Sequence, residues 1–439
     1  MVPSARAITV RPPTLIRGRA PARDVLPNGL VAIAQQNVAA PAVALNLSFC
    51  AGSFHDPVTL PGLSYLASLV IDRGTPRRSA DAIAEELDDR GVSLRVSVTR
   101  HSLALSCTCL SEDFRDLLSL LADIVTNADF PADEIRKRRA EAVTAVRQDA
   151  DSTATRAVES LMTLLYGADH PYARPARGTV SSLEAITRED IVRLHANHIV
   201  PSGSRIVVAG DVDPSLAIDE VSRLFGGWQG PRVEPDVVAP PAAPRGRRLD
   251  VIPMPGKAQS DIGYGFTAIR RLDPRYHAYW LMNNVLGQFG LGGRLADNIR
   301  ERQGMAYYAF SVLDGNVGEG PLVIRAGVDP ANVDRTIEAI DTEVRTLAER
   351  GPTSDELEAS RDALIGSIPR MLETNEGITD FLQTAEFFGL GLDYDRQLPE
   401  LFGAVTIEEV WQAAREILDI DNAAVTLAGP VDYQGNPKS

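Results

Sequence analysis

This sequence has few cysteines, no long apolar run and no excess of basic residues. Three cysteines among 439 residues exclude the disulfide framework of a small secreted domain. No apolar run approaches the roughly 18–20 residues of a membrane span, so we expect no membrane segment. The 44 Lys and Arg residues are outnumbered by 59 Asp and Glu, and the net charge of -15 argues against nucleic-acid binding, because an acidic surface repels phosphate backbones.

The first 23 residues contain arginines but no acid, which superficially suggests a targeting segment. Several prolines interrupt any long amphipathic helix there, and no apolar stretch follows. We therefore expect an extended lead-in strand of a cytoplasmic protein. A trimmed signal, with a periplasmic or organellar location, remains the alternative.

The chain is too long for one compact core, since single domains usually have about 100–200 residues. The proline-rich stretch PRVEPDVVAPPAAP (231–244) favours an extended connector near the middle. The sequence therefore predicts an N-terminal domain over residues 1–232, a linker over 233–245 and a C-terminal domain over 246–439.

The two halves also resemble each other. FPADEIRKRRAEAV (130–143) and GPTSDELEASRDALIG (351–366) each contain, near the start, a proline that is followed closely by Asp-Glu. SRIVVAGDVD (204–213) and AAVTLAGPVD (423–432) follow them at nearly the same separation. This pattern indicates duplication of one unit.

Strand and helix patterns mix within each half. Residues 43–51 and 94–109 alternate as strands, whereas 80–89, 112–127, 331–349 and 407–417 repeat apolar residues at helical spacing. These patterns predict an α+β fold of two related halves, each an antiparallel-rich sheet covered by helices. Cys107 and Cys109 should share one buried face of a strand.

Two short motifs could indicate a metal site or a phosphate-binding loop, but neither is specific. His195 and His198 could share a helix face as metal ligands, but no acid or cysteine completes the set, and we favour structural roles near a helix C-terminus. The glycines of GQFGLGGR (287–294) follow a helical pattern rather than a strand, so we interpret them as a flexible connection, not a phosphate loop.

Four segments resemble the pitrilysin/insulinase-type (M16) zinc peptidases, and specifically the half-length subunits of the mitochondrial-processing-peptidase-like group. They are LPNGLVAIAQQN (26–37), AGSFHDPVTLPGLSYLASLVIDRGT (51–75), residues 170–213 and FGLGGRLADNIRERQGMAYYAFSVLDG (289–315). The resemblance covers most of both halves in order. It implies a fold that forms half of a clamshell chamber.

In active subunits of this family, an HxxEH motif supplies two zinc-binding histidines and a general base, and a distal glutamate completes the ligand set. In the alignment Tyr65 and Leu69 stand at the histidine positions, Ser68 stands at the position of the base, and Ala145 stands at that of the glutamate. The resemblance therefore implies a degenerate zinc motif, with no metal site and no cofactor in this chain.

The family's C-terminal half contributes an Arg and a Tyr seven residues apart, which match Arg300 and Tyr307. Both side chains donate hydrogen bonds, so they suit a substrate carbonyl and its developing oxyanion. Tyr308 should face the opposite side of the strand, toward the core.

Together these features imply the non-zinc subunit of a heterodimeric peptidase. A homologous HxxEH-bearing partner would hold the zinc, and peptides would be the substrate. An inactive structural subunit is the alternative, and self-association into a peptide-binding homodimer is a third possibility.

Overall fold

The computed structural model describes residues 20–243 and 246–430. Most of the expected lead-in strand, and residues 244–245 of the linker, lie outside this range. Thirteen strands occur in the described residues: β1 Ala22–Val25, β2 Val31–Gln36, β3 Ala42–Phe49, β4 Gly74–Thr75, β5 Arg78–Ser79, β6 Arg95–Val98, β7 Leu103–Leu110, β8 Arg205–Gly210, β9 Arg248–Pro253, β10 Ser260–Thr267, β11 Ala306–Leu313, β12 Pro321–Val328 and β13 Ala424–Gly429.

The same residues form fourteen α-helices: α1 Leu63–Val70, α2 Ala80–Asp88, α3 Phe114–Thr126, α4 Ala132–Ala150, α5 Thr153–Tyr166, α6 Val180–Ala185, α7 Arg188–His198, α8 Pro214–Phe225, α9 Tyr276–Asn283, α10 Val333–Arg350, α11 Ser354–Met371, α12 Asn375–Phe388, α13 Tyr394–Ala404 and α14 Ile407–Ile417. None of these described helices is both long and apolar enough to cross a bilayer.

Local sequence explains several helix starts. Thr353 caps α11 and Thr406 caps α14. In each case the threonine side chain accepts a hydrogen bond from the main-chain N–H of a glutamate three residues later, and the side chain of that glutamate accepts one from the main-chain N–H of the threonine. Such reciprocal pairs satisfy main-chain N–H groups that have no partner inside the helix. The two segments in which a proline closely precedes Asp-Glu lie at the starts of α4 and α11.

The two sheets share one strand topology. The first has the order β1-β2-β8-β3-β7-β6, and the second, written from its other edge, has the order β9-β13-β10-β12-β11. In both, one pair is parallel (β2 with β8, β9 with β13) and the following pairs are antiparallel. The α+β class and the relatedness of the halves are thus confirmed.

A separate hydrophobic core lies beneath each sheet. The N-terminal core packs β3 and β7 against α1 and α3, and the C-terminal core packs β10 and β12 against α9, α10 and α14. Cys107 and Cys109 are both buried on β7, as predicted, and burial raises the pKa of each thiol to about 12.

Two helices cross from one half to the other. Helix α5 packs on β10 and β13 of the second sheet, while α12 packs on β3 and β8 of the first. Leu161 and Leu165 of α5 contact Val323 and Ala424, and Ile378 of α12 is buried in the first sheet's outer cluster. This reciprocal exchange interlocks the halves.

The segment between α8 and β9 contains no helix or strand in its described part, residues 226–243 and 246–247. This is the stretch in which the proline-rich linker was expected. The domain boundaries at 232 and 246 stay a prediction.

Candidate functional site

Arg300 lies in a wide helical turn formed by Ala296–Arg302. The N–H of Gln303 donates to the carbonyl of Asn298 at 3.1 Å, a bond that spans five residues instead of four. Wide turns of this kind are rare and occur frequently at functional sites. Buried Ile299 anchors the turn, and the Arg300 side chain stays 48% exposed with its Nε 3.4 Å from Glu301 Oε1.

Tyr307 occupies a β-bulge at the start of β11. Ala306 pairs with Val328 and Tyr308 pairs with Gly327, so Tyr307 is the extra residue. A bulge reorients the side chain of its extra residue. Tyr307 is 84% exposed, and its hydroxyl has no hydrogen-bond partner among the described residues.

Tyr308 fixes the bulge from the other side of the strand. Its ring is half-buried and its hydroxyl donates to the carboxylate of Asp261, a buried residue of β10. The same carboxylate accepts a hydrogen bond from Thr153 Oγ1, at the start of α5, over 2.5 Å. Burial, followed by the bond to Asp261, raises the pKa of the Tyr308 phenol.

Asp261 was not singled out from the sequence. Its signal is an acidic residue inside the otherwise uncharged strand segment SDIGYGFT. A buried carboxylate needs hydrogen-bond donors, and here those donors come from the bulged strand and from a crossing helix.

The degenerate zinc positions lie on helices that pack together. Tyr65, Ser68 and Leu69 belong to α1, and Ala145 belongs to the adjacent α4. Tyr65 and Leu69 pack against the N-terminal core, while Ser68 Oγ donates to the main-chain carbonyl of Tyr65 at 2.7 Å.

These four side chains do not fit a zinc ion. Catalytic zinc takes three protein ligands from His, Glu, Asp or Cys, and none of the four positions carries such a residue. No cluster of three His, Cys, Asp or Glu residues with metal-binding geometry occurs in residues 20–243 and 246–430.

An arginine bridges α1 and α4 instead. The Arg177 guanidinium lies 5.6 Å from the Tyr65 ring centroid, and its Nη1 is 2.9 Å from Asp149 Oδ2, one turn beyond Ala145. The side chain of Arg177 therefore connects the two helices that carry the degenerate zinc positions.

His195 and His198 bind different main-chain carbonyls. His195 Nε2 lies 2.7 Å from the carbonyl oxygen of Val125, and His198 Nδ1 lies 3.2 Å from that of Cys50. Burial lowers the pKa of both imidazoles. These contacts agree with the structural roles predicted for the pair.

The glycine-rich connection is packed more tightly than a flexible linker. A Cβ on Gly293 would lie 2.9 Å from the Gly287 Cα, and a Cβ on Gly287 would lie 2.7 Å from the main-chain nitrogen of Ser311. Glycine is needed at both positions for close main-chain approach, which corrects the expectation of simple flexibility.

The degenerate zinc positions and the Arg300–Tyr307 pair belong to different halves. No hydrogen bond, ion pair or aromatic contact joins them in the described part of the chain. Arg300 and Tyr307 are thus exposed hydrogen-bond donors, and no hydrogen bond or ion pair links them to Tyr65, Ser68, Leu69 or Ala145 among the described residues.

Two family models match the chain. Residues 31–179 match the insulinase peptidase family M16, and residues 185–364 match the M16 inactive domain. Together they cover strands β2 to β12 and include Tyr65, Ala145, Arg300 and Tyr307.

Curated relatives align over nearly the full length. A Streptomyces coelicolor protein named as an uncharacterized zinc protease is 24% identical, with 97% of this chain and 94% of the relative aligned. A probable β subunit of the mitochondrial-processing peptidase from Arabidopsis thaliana is 25% identical, over 92% of this chain and 78% of its own length.

Solved structures show the same fold. The M16 inactive domain from Pseudomonas fluorescens superposes with a TM-score of 0.88 at 25% identity, covering 95% of this chain and 99% of that one. A Helicobacter pylori protease superposes with a TM-score of 0.84 at 16% identity, covering 93% of this chain and 98% of that one.

Proposed function

Because the chain belongs to the insulinase-type peptidase family M16, we propose that it is the non-zinc subunit of a heterodimeric zinc metallopeptidase. Its partner would be a homologous chain that carries HxxEH, and peptides would be cleaved in the chamber between the two. The cytoplasmic location remains part of this proposal.

One observation carries the proposal: the chain presents Arg300 and Tyr307 while its own zinc positions have no ligands. Tyr307 stands on a bulge with a free hydroxyl, and Glu301 is the only acid within ion-pair distance of the Arg300 guanidinium among the described residues. A side chain this exposed contributes little to folding, so its placement favours a role in binding another molecule.

The two donors define the part of the chemistry assigned to this chain. Arg300 and the Tyr307 hydroxyl would bind the carbonyl oxygen of the scissile peptide and stabilise the negative charge that develops there. Zinc and a glutamate of the partner would supply the activated water. Asp261 and Tyr308 act as positioning residues, since they hold the bulge that orients Tyr307.

An inactive structural or peptide-binding subunit is the second candidate. The absence of zinc ligands at Tyr65, Leu69 and Ala145 favours an inactive subunit as much as it favours an active site shared with a partner. This candidate differs from the first in that the chain takes no part in peptide cleavage. It would bind peptides without cleaving them, or it would serve only in assembly, including self-association as a homodimer.

A fluorogenic peptide assay on three samples tests the proposal: this chain with added zinc, the HxxEH homologue alone, and their equimolar mixture. We expect cleavage only in the mixture, and its loss with Arg300→Ala. Cleavage by this chain alone, blocked by a chelator, would show that an unrecognised ligand set exists. Peptide binding without turnover in a mixture that forms a complex supports the second candidate.

A further inference from the structure

A cavity of ≈ 370 Å³ is lined by residues of both halves, and none of the site residues described above belongs to its lining. Its walls come from the start of β8, the segment 233–236, the loop between β10 and α9, and the end of α12. Its volume lies in the range of about 300–1,000 Å³ that is typical of small-molecule sites.

One wall is a buried arginine that lacks an acidic partner. Arg205 is only 7% exposed, and no carboxylate of the described residues lies within salt-bridge distance of it. Its Nη1 donates to the Gly203 carbonyl at 3.1 Å, its Nη2 lies 3.4 Å from Ser48 Oγ, and its Nε has no partner among those residues.

The acids near Arg205 are engaged elsewhere. Glu386 binds Arg23 through two hydrogen bonds of 2.9 and 2.8 Å. Asp236 Oδ2 lies 2.5 Å from His101 Nδ1, and its Oδ1 lies 3.3 Å from His55 Nε2. Arg205 is thus a buried cation with only neutral acceptors, and a guanidinium cannot lose its charge by deprotonation.

Aromatic surface adjoins this cation. The Arg205 guanidinium lies 4.9 Å from the ring centroid of Phe387, and Phe387 and Phe388 both line the cavity. Leu272 lies at the exposed side, 56% accessible. The cavity therefore combines a positive centre with an apolar wall.

We propose that this cavity binds a monocarboxylate carrying an apolar group, with the carboxylate on Arg205 and the apolar group against Phe387 and Phe388. The planar fork of a guanidinium matches a carboxylate. Asp236 on another wall disfavours a dianion such as phosphate. The ligand is either a free acid or the C-terminal carboxylate of a peptide that ends in an apolar residue.

Calorimetry on the full chain tests this with three probes: N-acetylphenylalanine, its amide and the peptide Ala-Ala-Ala-Phe. We expect the acid to bind at least about tenfold more tightly than the amide, since only the acid carries the charge. A peptide that binds as tightly as the acid or more so assigns the site to peptide ends; weaker binding assigns it to free acids. Absence of binding by either carboxylate, or equal binding by the amide, would overturn the proposal.

Two variants locate the binding. Arg205→Gln removes the charge and should weaken acid binding at least about tenfold. Leu272→Trp narrows the exposed side of the cavity without altering a buried contact, and it keeps the test valid should the first variant fail to fold. The assignment is contradicted if Leu272→Trp binds the acid as tightly as the parent does and Arg205→Gln either binds it equally tightly or fails to fold.

Alkylation gives an independent readout on the unmodified protein. Cys50 lines the cavity, whereas Cys107 and Cys109 lie in the N-terminal core and serve as internal references. Bound acid should slow the alkylation of Cys50 and leave the other two cysteines unaffected. Equal rates for Cys50 with and without saturating acid would place the ligand elsewhere.

Discussion

At the residue scale, Tyr307 contrasts with its neighbour Tyr308. The first hydroxyl faces solvent, whereas the second is tied to buried Asp261. Tyr307 is the extra residue of a bulge while Tyr308 is paired with β12, so the two adjacent side chains have different environments. The exposed phenol is the group that a bound peptide could reach.

Tyr307→Phe tests that role. In the complex with the HxxEH partner, we expect kcat to fall about 10²–10³-fold, because one oxyanion donor is lost. Thermal stability should not change, because the side chain is 84% exposed. Tyr65→Phe is the matched control and should retain full activity, and an unchanged kcat in Tyr307→Phe would exclude the hydroxyl from the chemistry.

The degenerate zinc positions allow a gain-of-function test. The fourfold variant Tyr65→His, Ser68→Glu, Leu69→His and Ala145→Glu restores the ligands and base to two helices that already pack together. We expect it to retain about one zinc ion per chain after dialysis, measured by mass spectrometry of metals, whereas the parent retains none at this position. A folded variant without zinc would show that the alignment misplaces these residues.

His277 gives the fold a pH dependence. Burial, with a smaller effect of Arg271, lowers the pKa of this imidazole to about 4. The unfolded chain binds a proton below a pKa of about 6.5 while the folded chain does not, so the free energy of unfolding should fall as pH drops from about 6.5 to about 4.

Urea unfolding of the parent and of His277→Gln across this pH range measures the effect. The variant should lose less stability on acidification, because one group that protonates only on unfolding has been removed. Identical pH profiles for the two proteins would exclude a contribution from His277.

At the element scale, the crossing of α5 onto the second sheet depends on small residues in β10. A Cβ on Gly263 would lie 2.5 Å from Thr426 Oγ1 and 3.2 Å from the Ala157 carbonyl of α5. Thr426 Oγ1 itself donates to that carbonyl at 2.8 Å. Glycine in this strand therefore permits the close approach of helix and sheet.

Gly263→Val should lower the free energy of unfolding by about 1–3 kcal/mol, because overpacking forces α5 away from the sheet. Gly366→Ala is the contrasting variant: it lies in α11 with open space around the added methyl group, and it should stabilise by about 0.5–1 kcal/mol. Urea unfolding measures both, and a Gly263→Val protein as stable as the parent would contradict the packing account.

Alternation and helical spacing predict many elements well, because those patterns are local. The periodicity at 407–417 coincides with α14, and the alternation at 94–109 corresponds to β6 and β7 with a turn between them. The exchange of α5 and α12 was not predicted, because it depends on contacts between residues more than a hundred positions apart. The bulge at Tyr307 depends on its register with the next strand, β12, which the alternation within β11 does not specify.

The site residues likewise divide into those that a local sequence pattern indicates and those that only the folded structure shows. Arg300 and Tyr307 were predicted as site residues from the resemblance and their spacing, since both lie in one short segment, and their role stays a prediction. Asp261 and the unpartnered Arg205 come to notice only when burial and hydrogen bonds are known. A sequence pattern does not tell a buried charge from a solvated one.

At the scale of the whole molecule, two sheets of one topology are interlocked by exchanged helices, and the two groups of site residues lie in different halves. In the described residues Arg300 and Tyr307 are exposed donors, and Tyr65, Ser68, Leu69 and Ala145 carry no zinc-binding side chain, which is the arrangement that the proposed shared active site requires. Rigid interlocking suits this role, because Arg300 and Tyr307 must keep their positions relative to whatever surface a partner contacts.

Titration of the HxxEH partner with this chain tests the shared active site most directly. At fixed partner concentration, peptide cleavage should rise from near zero and level off at one equivalent of this chain. An Arg300→Ala, Tyr307→Phe double variant should compete for the partner and suppress that activity. Full cleavage by the partner without this chain, or undiminished cleavage with the double variant, would contradict the account.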